Sequence, residues 1–150
     1  MGAMVKGVTD RRQRSYLDSL ALAALLVVGA LLIFSCQAST QIIEDITVQE
    51  AFDLIEEEQG NPDFTIIDVR TPGEYAEGHL ENAVNINFNA ADFEDRVDEL
   101  DKDKTYVIYC RTGVRSAGAR DVMKKLGFSE VYNVLDGITG WTAAGFPVVK

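Results

Sequence analysis

The residues best equipped for chemistry in this 150-residue chain are Cys110-Arg111-Thr112-Gly113-Val114-Arg115. They follow a β-prone apolar run, Thr105-Tyr106-Val107-Ile108-Tyr109. They precede Ala119, Val122, Met123 and Leu126, spaced as one face of a helix. The cysteine therefore falls where a buried strand turns into a helix. At such a junction the first backbone N–H groups of the helix have no partners within it. Those groups, the positive end of the helix dipole and the guanidinium groups of Arg111 and Arg115 favour a thiolate over a thiol. The same cradle of Arg111, Thr112, Gly113, Val114 and Arg115 suits a small oxyanion beside the sulfur. Cysteine is more commonly buried as a small hydrophobe, but two arginines and a glycine are poor company for a core position. The chemistry indicated is nucleophilic attack by sulfur on an anionic substrate.

Asp68 and Arg70 end a second apolar run, Phe64-Thr65-Ile66-Ile67, and are expected to open onto the same edge as Cys110. In a supporting role, Asp68 would accept hydrogen bonds that fix the Cys110 loop and Arg70 would pair with Glu74. The alternative is that both satisfy backbone groups at a strand end. Trp141 is expected to anchor the core.

The elements that position these residues are legible from caps and periodicity. Thr47-Val48-Gln49-Glu50 has capping-box spacing, and Val48, Ala51, Phe52 and Ile55 give the following helix an apolar face. Thr71-Pro72-Gly73-Glu74 offers a cap, a proline at the first helical position and a glutamate three residues on. Val84-Asn85-Ile86 reads as a short strand, and Phe93, Val97 and Leu100 mark a further helix. Gly127 suits the end of the helix after Cys110, and residues 130–134 form a last strand. Strands alternating with helices predict a single α/β domain over residues 46–150, a parallel β-sheet flanked by helices on both faces and joined by right-handed connections. Ligands of such sheets bind at the carboxyl ends of the strands, where Cys110 falls. Residues 37–45 read as a tether.

Residues 1–36 read as a targeting segment. Lys6, Arg11, Arg12 and Arg14 precede fifteen uncharged residues, 20–34, which end in Ile33-Phe34-Ser35-Cys36. A basic region, an apolar core and a small residue at a processing site form a secretory signal. A small residue followed by cysteine resembles a bacterial lipoprotein cleavage box, with Cys36 as the lipidated residue. A retained anchor is a second reading, although fifteen residues span only about 22 Å of a hydrocarbon core of about 30 Å. Ordinary cleavage is a third. The expected location is exported and membrane-anchored on the extracytoplasmic (periplasmic) side.

Four basic and two acidic residues fall in 1–36, leaving 10 basic and 22 acidic residues, a net charge of −12. That balance excludes nucleic acid as a partner, which needs a basic footprint. It also repels anions at long range, so attraction of an anionic substrate must be local, through Arg111 and Arg115. With two cysteines and one histidine, no metal site of ordinary spacing is expected.

Several separated motifs, in order, resemble the rhodanese domain, the sulfurtransferase module. They are Asp68-Val69-Arg70, Glu74-Tyr75, Gly78-His79-Leu80, Ala83-Val84-Asn85-Ile86, the Cys110 loop, and Leu135-Asp136-Gly137-Ile138 followed by Trp141. The resemblance covers residues 46–148. It departs at Asp136, where the family usually has the first of two glycines, but aspartate tolerates a left-handed backbone better than most residues. The resemblance places His79, the only histidine, in a structural turn. It implies that Cys110 takes a sulfane sulfur from a small anionic donor such as thiosulfate, as a persulfide, and passes it to a thiol or cyanide acceptor. No cofactor is implied. Related phosphatases use a loop one residue longer, and here that next residue is Ser116 rather than arginine. A phosphatase, or a non-enzymatic sulfur-carrier or interaction module at the membrane surface, are the alternatives.

The targeting reading has a direct test. Expressed in a bacterium and labelled with a fatty acid, the protein should carry label and begin at Cys36, because two or more acyl chains anchor stably. Cys36→Ala should lose the label and run at higher mass, as unprocessed precursor. Equal mass and equal membrane retention of the two forms would support the retained anchor instead.

Overall fold

The computed structural model describes residues 40–150, so the targeting segment 1–36, its Cys36 and residues 37–39 lie outside the described residues. Five strands, β1 (Ile42–Ile46), β2 (Phe64–Asp68), β3 (Val84–Asn85), β4 (Thr105–Tyr109) and β5 (Glu130–Val134), form one sheet in the order β1-β5-β4-β2-β3. Every pairing is parallel. The helices are α1 (Val48–Glu57), α2 (Pro72–Glu77), α3 (Phe93–Asp98), α4 (Val114–Leu126) and α5 (Gly137–Ala143).

Strand β4 lies between two neighbours, and Val107 and Ile108 are fully buried. Its unbroken apolar run is what a strand covered on both faces requires. Alternate side chains divide between two cores. Ile67, Ile108 and Val131 meet Phe93 and Val97 of α3 and Ala119 and Met123 of α4. Ile66, Val107, Tyr109 and Val134 meet Ala51 of α1 and Trp141 of α5 on the other side. Helices thus cover both faces, as the alternating pattern predicts.

Two helix starts are built alike. Thr47 Oγ accepts from Glu50 N at 3.2 Å, while the Glu50 carboxylate accepts from Thr47 N at 2.8 Å. Thr71 and Glu74 repeat the arrangement at the start of α2, with Pro72 in its first turn. Each box satisfies two N–H groups that the helix cannot.

One expectation is corrected. Residues 37–45 read as a tether, yet Ile42–Ile46 is an edge strand, in register with Glu130–Val134. Glu44 and Asp45 break its apolar pattern, because an edge strand can leave most of its residues exposed to water. Asp45 is not idle there: its carboxylate accepts from Asn133 Nδ2 at 2.8 Å and pairs with Arg120.

The neighbouring strands β2 and β4 end in register, Asp68 opposite Tyr109. Just beyond them, Val69 N donates to Tyr109 O at 3.0 Å. The segments carrying Arg70 and Cys110 therefore leave the sheet side by side at its carboxyl edge.

Candidate active site

Cys110 is only 1% exposed, and α4 starts a few residues after it. Gly113, with φ +87°, turns the chain sharply enough for the first turn of α4 to fold back toward the sulfur. A Cβ there would also lie a tight 3.3 Å from Asp136 N, which adds to the backbone strain that favours glycine. The first bond within α4 runs from Ala117 N to Gly113 O, 2.9 Å, leaving the earlier N–H groups free. Burial alone would raise the thiol pKa. The Ser116 hydroxyl and the N–H groups of Ser116, Thr112 and Arg115 outweigh it and hold the thiol below its ordinary range. The loop therefore favours the thiolate over the thiol.

N–H groups can face inward only if the carbonyls face outward, and α5 receives them. Ile138 N donates to Cys110 O at 2.9 Å, and Thr139 N donates to Arg111 O at 3.1 Å. The approach is close: a Cβ on Gly137, where φ is +52°, would lie 2.8 Å from Arg111 C and closer still to Cys110 O. Asp136, the departure from the family's paired glycines, takes the left-handed conformation with φ 61°. The short polar side chain tolerates that backbone.

The supporting charges are paired differently from the sequence expectation. Arg70 pairs with Asp68, not Glu74: its Nη2 lies 2.6 Å from Asp68 Oδ2, and it also donates to Gly78 O at 2.6 Å. Asp68 is fully buried, and it receives Arg70 N and the Arg70 side chain instead of clamping the Cys110 loop. Tyr109 completes this cluster. Its hydroxyl accepts from Leu80 N at 3.1 Å, and burial together with the Asp68 charge pushes its pKa upward, so it stays neutral.

Glu74 pairs with Arg115 instead. Arg115 Nη1 and Nη2 donate to its two carboxylate oxygens at 2.8 and 2.7 Å. Arg115, Thr71 and its N–H together hold the Glu74 pKa down at about 2. Glu74 first, and the Cys110 sulfur to a smaller degree, hold the Arg115 guanidinium charged. Arg111, Thr112 and Val114 are exposed along the loop, and Gly113 is buried beneath them. His79 stacks on Tyr75 with ring centroids 3.7 Å apart and contacts Tyr75 O through Nδ1, a turn-stabilising position.

Three contributors went unnoticed in the sequence. Ser116 stands out in the sequence only as a residue that is not arginine, and its place in the first turn of α4 is the available signal. Glu74 reads as a cap residue and as a partner for Arg70, and nothing local announces Arg115, 41 residues away. Tyr109 read only as part of a buried strand.

A cleft of about 340 Å³ adjoins the loop, lined by the charged Arg70, Glu74, Glu77 and Arg111 and by Ile138, Thr142 and Val148. A larger cleft, about 500 Å³, lies by Phe64–Ile66 at the other end of β2 and is lined by no cysteine.

The rhodanese-like domain family matches residues 47–144. A sulfurtransferase of Allochromatium vinosum is 36% identical over 87 residues, covering 58% of this chain and 79% of that protein. The thiosulfate sulfurtransferase GlpE of Coxiella burnetii is 30% identical over 100 residues, covering 67% of this chain and 88% of its own. Among solved structures, a rhodanese-related protein of Thermoplasma volcanium superposes with a TM-score of 0.60 at 31% identity, covering 71% of this chain and 97% of that one.

Two outcomes follow from this geometry. Gly137→Ala should destabilise the protein by roughly 2–4 kcal/mol in urea unfolding, since a left-handed backbone and an overpacked contact are penalised together. A near-neutral effect would mean that the loop does not lean on α5. Glu74 ionises more readily in the folded protein, so its stabilisation is full above pH 4.5 and is lost as the pH falls toward 2. The stability gap between wild type and Glu74→Gln should therefore narrow across that window. A constant gap would show that the carboxylate charge is not what Arg115 recognises.

Proposed function

The chain belongs to the rhodanese-like family of sulfurtransferases, and on that footing we propose that it moves a sulfane sulfur from a donor such as thiosulfate to a thiophilic acceptor, a thiol or cyanide, through a persulfide on Cys110. The observation that carries this reading is the buried Cys110 thiol, held below its ordinary pKa by the N–H groups of Thr112, Arg115 and Ser116 and the Ser116 hydroxyl. A thiolate in that cradle attacks the outer sulfur of thiosulfate. The S–S bond of the donor breaks, sulfite departs with the bonding pair, and Cys110 carries the sulfur. The acceptor then attacks that outer sulfur and Cys110 leaves as thiolate. Donors already aimed at the sulfur need no reorganisation as charge moves across it. Neither step calls for a cofactor.

The phosphatase alternative draws no support from the loop. Arg115 closes it, and Ser116, where a longer loop would place arginine, is fully buried. The pattern of residues 1–36 supports a location on the extracytoplasmic side of a membrane, held by lipid on Cys36.

Intact mass spectrometry tests the intermediate. Thiosulfate should add one sulfur atom to the protein, and cyanide or a thiol should remove it. Cys110→Ser should acquire none, because the alkoxide it would need is inaccessible near neutral pH. A sulfur adduct that persists in this variant moves the site elsewhere and sinks the mechanism.

A further inference from the structure

Three arginines reach the neighbourhood of Cys110, and two are already neutralised. Arg115 is held by Glu74 and Arg70 by Asp68. Arg111 is exposed and, among the described residues, has no ion-pair partner. Glu77 lines the same cleft, also without an ion-pair partner among the described residues. The cleft lining holds two guanidinium groups, Arg70 and Arg111, and two carboxylates, Glu74 and Glu77, while Arg115 and the buried Asp68 beside them also balance, so the mouth is neutral before Cys110 ionises and carries one net negative charge afterwards. The surrounding protein adds no attraction for anions, since residues 37–150 carry a net −12.

The shape of the cleft points the same way. At about 340 Å³ it is far larger than thiosulfate fills, and Ile138, Thr142 and Val148 give it a methyl-bearing wall. Clefts that hold small organic molecules begin at about 300 Å³ and combine such walls with a few polar groups. A sulfonate oxygen has no use for an aliphatic wall; an organic sulfur carrier does.

We propose that Glu74, acting through Arg115, is a specificity-determining residue that turns this site away from dianionic thiosulfate and toward organic hydropersulfides, R–S–SH. The proposal rests on the sulfur-transfer reading above and narrows its donor. The Cys110 thiolate attacks the terminal sulfur of R–S–SH, forming Cys110–S–SH as the donor S–S bond breaks and R–S⁻ leaves with the bonding pair. One thiolate is exchanged for another, so the charge of the site is unchanged and nothing is oxidised or reduced overall. Thiosulfate must instead bring two negative charges into a mouth that is already negative. Glu74 enforces this by occupying two of the Arg115 donors, leaving Arg111 to meet the departing thiolate.

The test compares kcat/KM for thiosulfate with that for the freshly prepared persulfide of 2-mercaptoethanol, using the full-length protein. Wild type should prefer the persulfide. Glu74→Gln should shift the thiosulfate-to-persulfide ratio toward thiosulfate on the order of tenfold, the effect of one charge at short range. Glu74→Asp, which keeps the charge, should restore most of the wild-type ratio. A ratio unchanged in folded Glu74→Gln, or a wild type that prefers thiosulfate, overturns the proposal while leaving Cys110 sulfur transfer intact. Wild type that acquires sulfur on Cys110 from neither donor overturns the sulfur-transfer reading and the proposal with it. Should Glu74→Gln fail to fold, salt dependence in wild type decides: kcat/KM for thiosulfate should rise with added salt as repulsion is screened, and that for the persulfide should stay flat. A fall with salt for thiosulfate would reveal attraction and overturn the proposal.

Discussion

Cys110 is 1% exposed, so its sulfur has lost nearly all its water, and a buried anion persists only where other donors replace that water. Here the replacement is a turn of backbone. The N–H groups of Thr112, Arg115 and Ser116 converge on Cys110 because Gly113 bends the chain and α4 starts immediately after it. That convergence sets a condition on the opposite side of the loop, whose carbonyls must find donors elsewhere. Ile138 and Thr139 supply them from the first turn of α5. The glycine at 137 and the left-handed aspartate at 136 exist to let that turn come close enough. The sheet, in turn, is what brings the ends of β4 and β5 to one edge.

The charged groups form a second layer with a different logic. Asp68 and Arg70 compensate each other in the interior and tie β2 to the loop around Gly78. A buried pair like this contributes little net stability, but removing either partner would strand the other. Glu74 and Arg115, by contrast, are partly open to solvent and adjoin the reacting sulfur. Their pairing is the point at which structure and selectivity meet: one carboxylate caps a short helix and sets the orientation of the guanidinium at the nucleophile.

What the sequence revealed was whatever is local or periodic. The run from Thr105 to Tyr109, the helix face of Ala119 and Met123, both capping boxes and the cysteine at a strand–helix junction are readable because each depends on neighbours within a turn or two. Edge strand β1 was hidden because solvent exposure removes the constraint that makes strands apolar. The side-chain pairings failed for another reason. Arg70 has two carboxylates in reach by sequence, Asp68 and Glu74, and the choice turns on where Arg115 arrives from the other side of the fold. Charge pairing is settled by tertiary geometry, and a list of residues leaves it degenerate.

The order of residues along the chain has a bearing on when the nucleophile becomes reactive. The donors that hold the outer carbonyls of the loop belong to α5, which comes after β5, and β1 has no sheet partner until β5 exists. On a ribosome adding about 5–20 residues per second, Cys110 therefore precedes its clasp by a second or more. Through that interval it is an ordinary thiol on an unfinished sheet. It becomes a poised nucleophile only when the start of α5 docks, so a truncated or stalled chain ending before residue 137 would carry the cysteine without its chemistry.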